Sequence, residues 1–229
     1  MRLLLFDIDG TLMLSGGAGA RALTAALHEV FGMSDGLAGV RLNGHTDRQI
    51  VADALALAGL PSPASPAQQA LLDERYVHNL RREMPVSPRA VLLPGVTELL
   101  QRLVEVGGVA LALLTGNIEP GARIKLERFG LNRYFPFGAF GTDSAVRRDL
   151  VPIAIARGEE KIGVRFDRSD VVVIGDTERD VDCGRHCGVK TVAVATGGVS
   201  VADLQAAGAD LVLPDLADTA RTVQALLTV

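Results

Sequence analysis

A doubly wound α/β sheet with one helical insertion is the fold that these 229 residues predict. Three observations lead to it. Short apolar runs alternate with helical patterns along most of the chain, which is the rhythm of parallel strands and crossover helices. One interval, from about Ser15 to Ser87, shows helical patterns and no strand. Three of the apolar runs end in polar, glycine-bearing turns, where an open parallel sheet places its ligands.

The first strand is Leu3–Phe6, followed directly by Asp7-Ile8-Asp9-Gly10-Thr11. In extended chain i and i+2 share a face, so Asp7 and Asp9 point into one pocket. Gly10 lets the chain turn away at once. Two adjacent carboxylates repel unless a cation or a proton lies between them, so the pair asks for a metal.

The helical interval carries patterns near 18–31, 46–59 and 66–83. Ser15-Gly16-Gly17 and Pro85-Val86-Ser87-Pro88 flank it with linker chemistry. Residues 15–87 are therefore expected to form a small helical domain inserted after the first strand, with 1–14 and 88–229 forming the α/β core. Pro61–Pro66 is a stiff connector within the insertion. Thr46-x-x-Gln49, in the polar loop Asn43–Asp47, reads as a helix capping box.

Beyond the insertion the alternation resumes. A helix is expected near 95–106, then the strand Val109–Leu114 ending in Thr115-Gly116-Asn117, then helices near 120–129 and 149–162. The run Val171–Ile174 ends in Gly175-Asp176-Thr177-Glu178-Arg179-Asp180 and enters a helix near 178–187. Strands Thr191–Ala195 and Asp210–Leu213, with helices near 200–207 and 215–227, complete the sheet. Three to four carboxylates, a hydroxyl and turn glycines thus converge from three strand ends. Hard oxygen donors with few nitrogens favour Mg²⁺.

Composition narrows the partners. A net charge of −4 leaves no basic surplus for nucleic acid. No apolar run approaches the roughly 18 residues that cross a membrane. The N-terminus enters a strand after one Arg, unlike a signal peptide, so a cytoplasmic protein is expected. Cys183 and Cys187 are the only cysteines, too few for a disulfide framework. They share a helix with His186, but without a fourth ligand a packed helix face is the expected reading. A monomer or homodimer is expected.

Asp7-Ile-Asp-Gly-Thr11, Leu114-Thr115-Gly116-Asn117 and Gly175-Asp176-Thr177-x-x-Asp180 together resemble motifs I, II and IV of the haloacid dehalogenase superfamily, in the order and spacing of its phosphoglycolate phosphatase-like members. The resemblance spans nearly the whole chain, including a helical cap after the first motif. It implies a Rossmann-like core and a Mg²⁺-dependent phosphatase acting on a small phosphorylated metabolite. By it, Asp7 is the nucleophile that forms an aspartyl-phosphate. Asp9 is the general acid, then the base. Mg²⁺ is held by the Asp7 carboxylate, the Asp9 main-chain carbonyl and Asp176. Asp180 supports the metal site from behind or through water. Thr115, Gly116 and Asn117 bind the phosphate, and His45, Thr46, Asp47 and Arg48 of the cap loop are specificity candidates.

One motif departs from the family. Its third motif is a lysine before a later core helix, and the matching stretch here is Ser144-Ala-Val-Arg147-Arg148-Asp149-Leu150. Arg147 is the expected cation, with Arg148 second. Lys125 is a rival, but it sits about seven residues into its helix, roughly 10 Å along the axis.

Alternative activities separate on single residues. Asp9 argues against haloacid dehalogenation, whose enzymes lack the second aspartate of the first motif. The absence of lysine before Lys125 excludes a Schiff-base lysine from the cap, as phosphonoacetaldehyde hydrolases use. A β-phosphoglucomutase-like mutase remains, with Arg21, Arg41 or Arg48 available to hold a second phosphate. A phospho-acceptor regulator is the reading from another class, but it leaves Asp9 and the insertion without a purpose.

Overall fold

The computed structural model describes residues 1–229. Six parallel strands form the sheet: β1 (Arg2–Phe6), β4 (Val109–Leu114), β5 (Gly138–Ala139), β6 (Val171–Gly175), β7 (Lys190–Val194) and β8 (Leu211–Leu213), in the order β5-β4-β1-β6-β7-β8. Strand β1 is central, pairing Leu3–Phe6 with Ala110–Leu113 on one side and Val171–Ile174 on the other. Strand order reverses at β1, so the crevice at its carboxyl end is where a ligand is expected to bind.

Both faces of the sheet are covered. Leu4, Phe6, Leu111, Leu113, Val172 and Ile174 point to one face, packed with α4 (Val96–Val106), α5 (Glu119–Glu127) and α9 (Thr219–Thr228). Leu3, Leu5, Ala110, Ala112, Val171 and Val173 point to the other, beneath α6 (Leu150–Ile162) and Cys183 of α7 (Glu178–Cys187). The fully apolar runs therefore have a physical reason, because alternate residues enter different cores. Helix α8 (Val201–Ala206) closes the β7–β8 edge through Leu204. No helix is long and apolar enough to cross a membrane.

The helices expected between Ser15 and Ser87 form as α1 (Ala18–Phe31), α2 (Asp47–Leu57) and α3 (Pro66–Val86). They rise from a two-stranded antiparallel stem, β2 (Met13–Leu14) with β3 (Val91–Leu92). Helix α1 packs along α3 and pairs Arg21 with Glu83 at 2.7 Å. Ala22, Leu72, Tyr76 and Leu80 are contiguous with Phe6 and Ile118 in one apolar cluster, so the insertion packs onto the sheet layer.

Four details differ from the sequence expectations. Strands β2, β3 and β5 have two residues each, too short for a period-two pattern to register. Helix α3 runs through Pro85 to Val86, so half of the expected second linker is helical. Both connections are also tied down: Ser87 Oγ donates to the Ser15 carbonyl at 2.9 Å, and Arg128 donates to the carbonyls of Pro85 and Ser87. At the start of α2, Thr46 accepts from the Gln49 amide at 3.1 Å, but the Gln49 side chain turns to Asp53, leaving half of the capping box.

Gly95 precedes α4 in the left-handed conformation at φ +78°, and a Cβ there would lie 2.0 Å from the Leu216 carbonyl oxygen, whereas Gly163 after α6 is left-handed at φ +77° with open space around it. A left-handed backbone alone costs an L-residue roughly 1–2 kcal/mol. Gly163→Ala should lose about that much in urea unfolding, and Gly95→Ala about 2 kcal/mol more. Equal losses would show that the α4–α9 junction yields without cost.

Candidate active site

The carboxyl ends of β1, β4, β6 and β7 open into a cavity of about 540 Å³, roofed by the inserted helices. Asp7, Asp176 and Asp180 have carboxylate oxygens within 4.8 Å of one another, and all three are buried. Strand β1 delivers Asp7, the turn after β6 delivers Asp176, and the first turn of α7 delivers Asp180. Glycines permit this crowding. A Cβ on Gly10 would lie 2.3 Å from Asp176 Oδ2, and one on Gly197 only 1.6 Å from it. Thr11 Oγ1 donates to Asp176 Oδ1 at 3.1 Å. Both Asp180 oxygens are engaged, Oδ1 by Arg147 and Oδ2 by the Thr177 amide and hydroxyl.

Arg147 is the cation of this cluster. Its Nη2 lies 2.5 Å from Asp180 Oδ1 and 3.2 Å from Asp7 Oδ1. Burial opposes its charge, but Asp180 and Asp7 outweigh that and hold the guanidinium well above its ordinary value. Its Nε is a buried donor with no partner. Arg147 stands at the start of a single 3-10 turn, Arg147–Asp149, which α7 holds by two thiols. Cys183 donates to the Arg147 carbonyl and Cys187 to that of Arg148. Burial pushes the Cys183 thiol up to about 12, which keeps its proton in that bond. The packed-face expectation for these cysteines thus takes a specific form. Arg148 points away and pairs with Asp182 on the surface.

The expected distance of Lys125 from the site is corrected. Its Nζ lies 2.5 Å from Asp9 Oδ2 and 2.6 Å from Asn117 Oδ1, and the residue is 5% exposed. Axial rise along α5 is offset because helical side chains lean back toward the N-terminus, and lysine is long enough to return to the strand ends. Two cations therefore enter the site, one against Asp7 and one against Asp9. Asn117 is likewise turned inward: its amide donates to Asp9 Oδ2 at 2.9 Å and Thr115 Oγ1 at 2.8 Å. Thr115 Oγ1 accepts from Asn117 and keeps its own proton for another acceptor.

The cap-loop residues separate into two pairs. His45 and Asp47 line the cavity; Thr46 and Arg48 do not. Thr46 Oγ1 donates to the Ala145 carbonyl at 2.7 Å, and Arg48 makes a bidentate pair with Asp73 inside the insertion. Asp47 accepts from the Ile118 amide at the start of α5, while its own amide donates to the Gly116 carbonyl at 2.7 Å. The loop lies so close to Gly116 that a Cβ there would be 2.3 Å from the His45 carbonyl oxygen. Burial and the nearby Arg179 lower the His45 pKa.

Charge is strained in this cavity. Burial, with Asp180 and Asp9 adding repulsion against Arg147, raises Asp7 to about 6. Burial and repulsion from Asp180 and Asp7 raise Asp176 to about 8. Burial raises Asp47 to about 6 against the pull of Lys125. A buried set of oxygen donors with more negative charge than its one arginine can offset suits a hard divalent cation. Asp7 and Asp176 are the carboxylates free to hold it, since Asp180 is fully bonded elsewhere.

Tyr76, Gly19, Arg89 and Gly197 also line the cavity and went unread in the sequence. Thr196-Gly197-Gly198 offered a signal, a fourth strand end closing on glycine. Tyr76 offered none, because an aromatic at a core position of α3 is indistinguishable in sequence from packing.

Residues 1–188 match the family model for haloacid dehalogenase-like hydrolases. The chain is 32% identical over 207 residues to a phosphoglycolate phosphatase of Agrobacterium fabrum, covering 87% of this chain and 82% of that one. It is 30% identical over 229 residues to a phosphoglycolate phosphatase of Synechococcus elongatus, covering 99% of each. The crystal structure of a hydrolase from Pseudomonas syringae matches over 100% of both chains with a TM-score of 0.72 at 22% identity, a likeness of fold. With its sheet, its strand-end carboxylates and a family match over most of its length, the chain belongs to the haloacid dehalogenase-like hydrolases.

Proposed function

We propose that this protein is a phosphatase that hydrolyses a small phosphate monoester by way of an aspartyl-phosphate on Asp7, with residues 15–87 acting as a cap over the core formed by 1–14 and 88–229. The observation that carries the reading is the division of labour between two carboxylates two residues apart. Asp7 is buried against Arg147, whereas the Asp9 side chain is 37% exposed to the cavity and is held through one oxygen by Lys125 and Asn117.

In the first half of the reaction an Asp7 carboxylate oxygen attacks phosphorus, and the bond from phosphorus to the ester oxygen breaks. Asp9 Oδ1, which no protein group occupies, hands its proton to the departing oxygen. In the second half Asp9 takes a proton from water as the water attacks the acyl phosphate, releasing inorganic phosphate, freeing the Asp7 carboxylate and returning Asp9 to its protonated form. The unpartnered Nε of Arg147, the Thr115 hydroxyl and the Gly116 amide are donors for the phosphate oxygens. Asp7, Asp176 and the Asp9 main-chain carbonyl would hold Mg²⁺, which when bound offsets the charge that otherwise keeps one anion from approaching another.

Of the three arginines considered for a second phosphate, none lines the cavity and two are engaged elsewhere. Arg21 bonds Glu83 and the Gly16 carbonyl, Arg48 bonds Asp73, and Arg41 does not line the cavity. This supports hydrolysis over transfer. The relatives named phosphoglycolate phosphatase support a compact substrate.

Release of p-nitrophenol from p-nitrophenyl phosphate tests the assignment. Asp7→Asn should abolish Mg²⁺-dependent turnover, and Asp9→Asn should lower it by about 10²–10⁴-fold. Undiminished turnover by Asp7→Asn would rule out the covalent route.

A second expectation concerns pH in chelator. Folded Asp7 and Asp176 bind protons more tightly than unfolded carboxyls of pKa 3.8, so their contribution is full below that pH and is lost as pH rises through about 6 and about 8. The melting temperature in chelator should fall over that range, and the gain from added Mg²⁺ should grow. A gain from Mg²⁺ that is flat with pH would remove these carboxylates from the metal site.

A further inference from the structure

Tyr76 is 3% exposed and lines the cavity, yet its hydroxyl enters none of the protein's own hydrogen bonds. Its ring is held against α5: a Cβ on Gly121 would lie 3.3 Å from Tyr76 Cε1. On the same helix Lys125 spends two of its three protons on Asp9 and Asn117, and one remains. A Cβ on Gly19 would lie 3.4 Å from Lys125 Nζ and 3.7 Å from Tyr76 Oη. Both donors thus border the space over Gly19, which no side chain fills. Asp47 lines the same cavity, with Oδ2 taken by the Ile118 amide and Oδ1 without a partner.

We propose that Tyr76 and Lys125 form the leaving-group side of the site and select a phosphate monoester whose leaving group is uncharged and carries a hydroxyl. The proposal rests on the phosphatase reading above. Its chemistry follows from what surrounds the empty space. A hydroxyl can accept from Tyr76 or Lys125 and donate to Asp47, matching donors and acceptor together. A carboxylate can only accept. It would also face Asp9 and Asp47 with Lys125 as the single buried cation on this side, because Arg147 serves the phosphate and Arg89 is exposed at the rim. Burial, with repulsion by Asp47 and Asp9 added to it, holds the Tyr76 hydroxyl well above its ordinary pKa, so it stays a donor. Gly19 leaves the room, and its replacement by Ala would fill the space without steric conflict.

Three substrates of similar size test the selection: 2-hydroxyethyl phosphate, n-propyl phosphate, which replaces the hydroxyl by methyl, and 2-phosphoglycolate, which carries a carboxylate. Wild-type kcat/KM should favour 2-hydroxyethyl phosphate over n-propyl phosphate by about tenfold or more, the scale of an unmade buried hydrogen bond. It should also favour it over 2-phosphoglycolate. Tyr76→Phe, which keeps the ring, should bring the first ratio to within about threefold. Equal rates on the first two substrates in wild type, a preference for 2-phosphoglycolate, or an unchanged ratio in Tyr76→Phe would overturn the proposal. Turnover of p-nitrophenyl phosphate by the same wild-type preparation separates the failures. With it, the leaving-group assignment falls alone; without any turnover, the phosphatase reading falls too.

Discussion

Asp7, Asp176 and Asp180 share a volume in which their oxygens lie within 4.8 Å of one another, almost out of reach of water, with one arginine to balance them. Such a cluster is costly to assemble, and much of the surrounding structure serves to hold it. Gly10 and Gly197 give up their side chains so that the Asp176 carboxylate can fit. Thr177 occupies one Asp180 oxygen and Arg147 the other. Two thiols of α7 then fix the main chain that presents Arg147. Loss of Arg147 would leave three buried carboxylates without a counter-charge, so stability and chemistry are coupled at this residue.

The second cation answers a different need. Asp9 faces the cavity with its side chain 37% exposed, so burial does not hold it. Lys125 and Asn117 hold it instead, through a single oxygen, from α5 and the β4 turn. Lys125 donates to both Asp9 and Asn117, and Asn117 donates to both Asp9 and Thr115, which closes a small network in which each member orients the next. The leaving-group side proposed for the cavity is thus built on the residues that hold Asp9.

How much of this could be read in the chain follows from the range of each interaction. The strands announced themselves because both faces are buried, and Asp7, Asp9, Asp176 and Thr115 because they close those strands. Local patterns carry that information. Lys125 is harder to place, because its backbone position is not the position of its charge, and a lysine side chain spans several residues of helical rise. Arg48 and Thr46 stood in the right loop but found partners in Asp73 and Ala145, which sequence proximity does not foretell. Tyr76 was invisible for the opposite reason. It reads as core, and it is core on every side except the one its hydroxyl faces.

The insertion and the strand ends are bonded at several points around the end of the cavity lined by Arg147, Thr115 and Gly116. The Gly44 carbonyl accepts from Arg147 at 3.4 Å, Thr46 reaches the Ala145 carbonyl, and Asp47 bonds both Gly116 and Ile118. Movement of the helices away from the sheet would break all of these together. It would uncover Arg147, release the start of α5 and withdraw Tyr76 from Gly121. Each partner lies next to a group that contacts phosphate or leaving group in the proposed reaction. A ligand that engages Arg147 and Tyr76 at once would therefore favour the closed arrangement over any open one, since it spans both sides of the contact. Closure and selection would draw on the same few residues, and a leaving group that failed to meet Tyr76 would lose part of the hold that keeps water out.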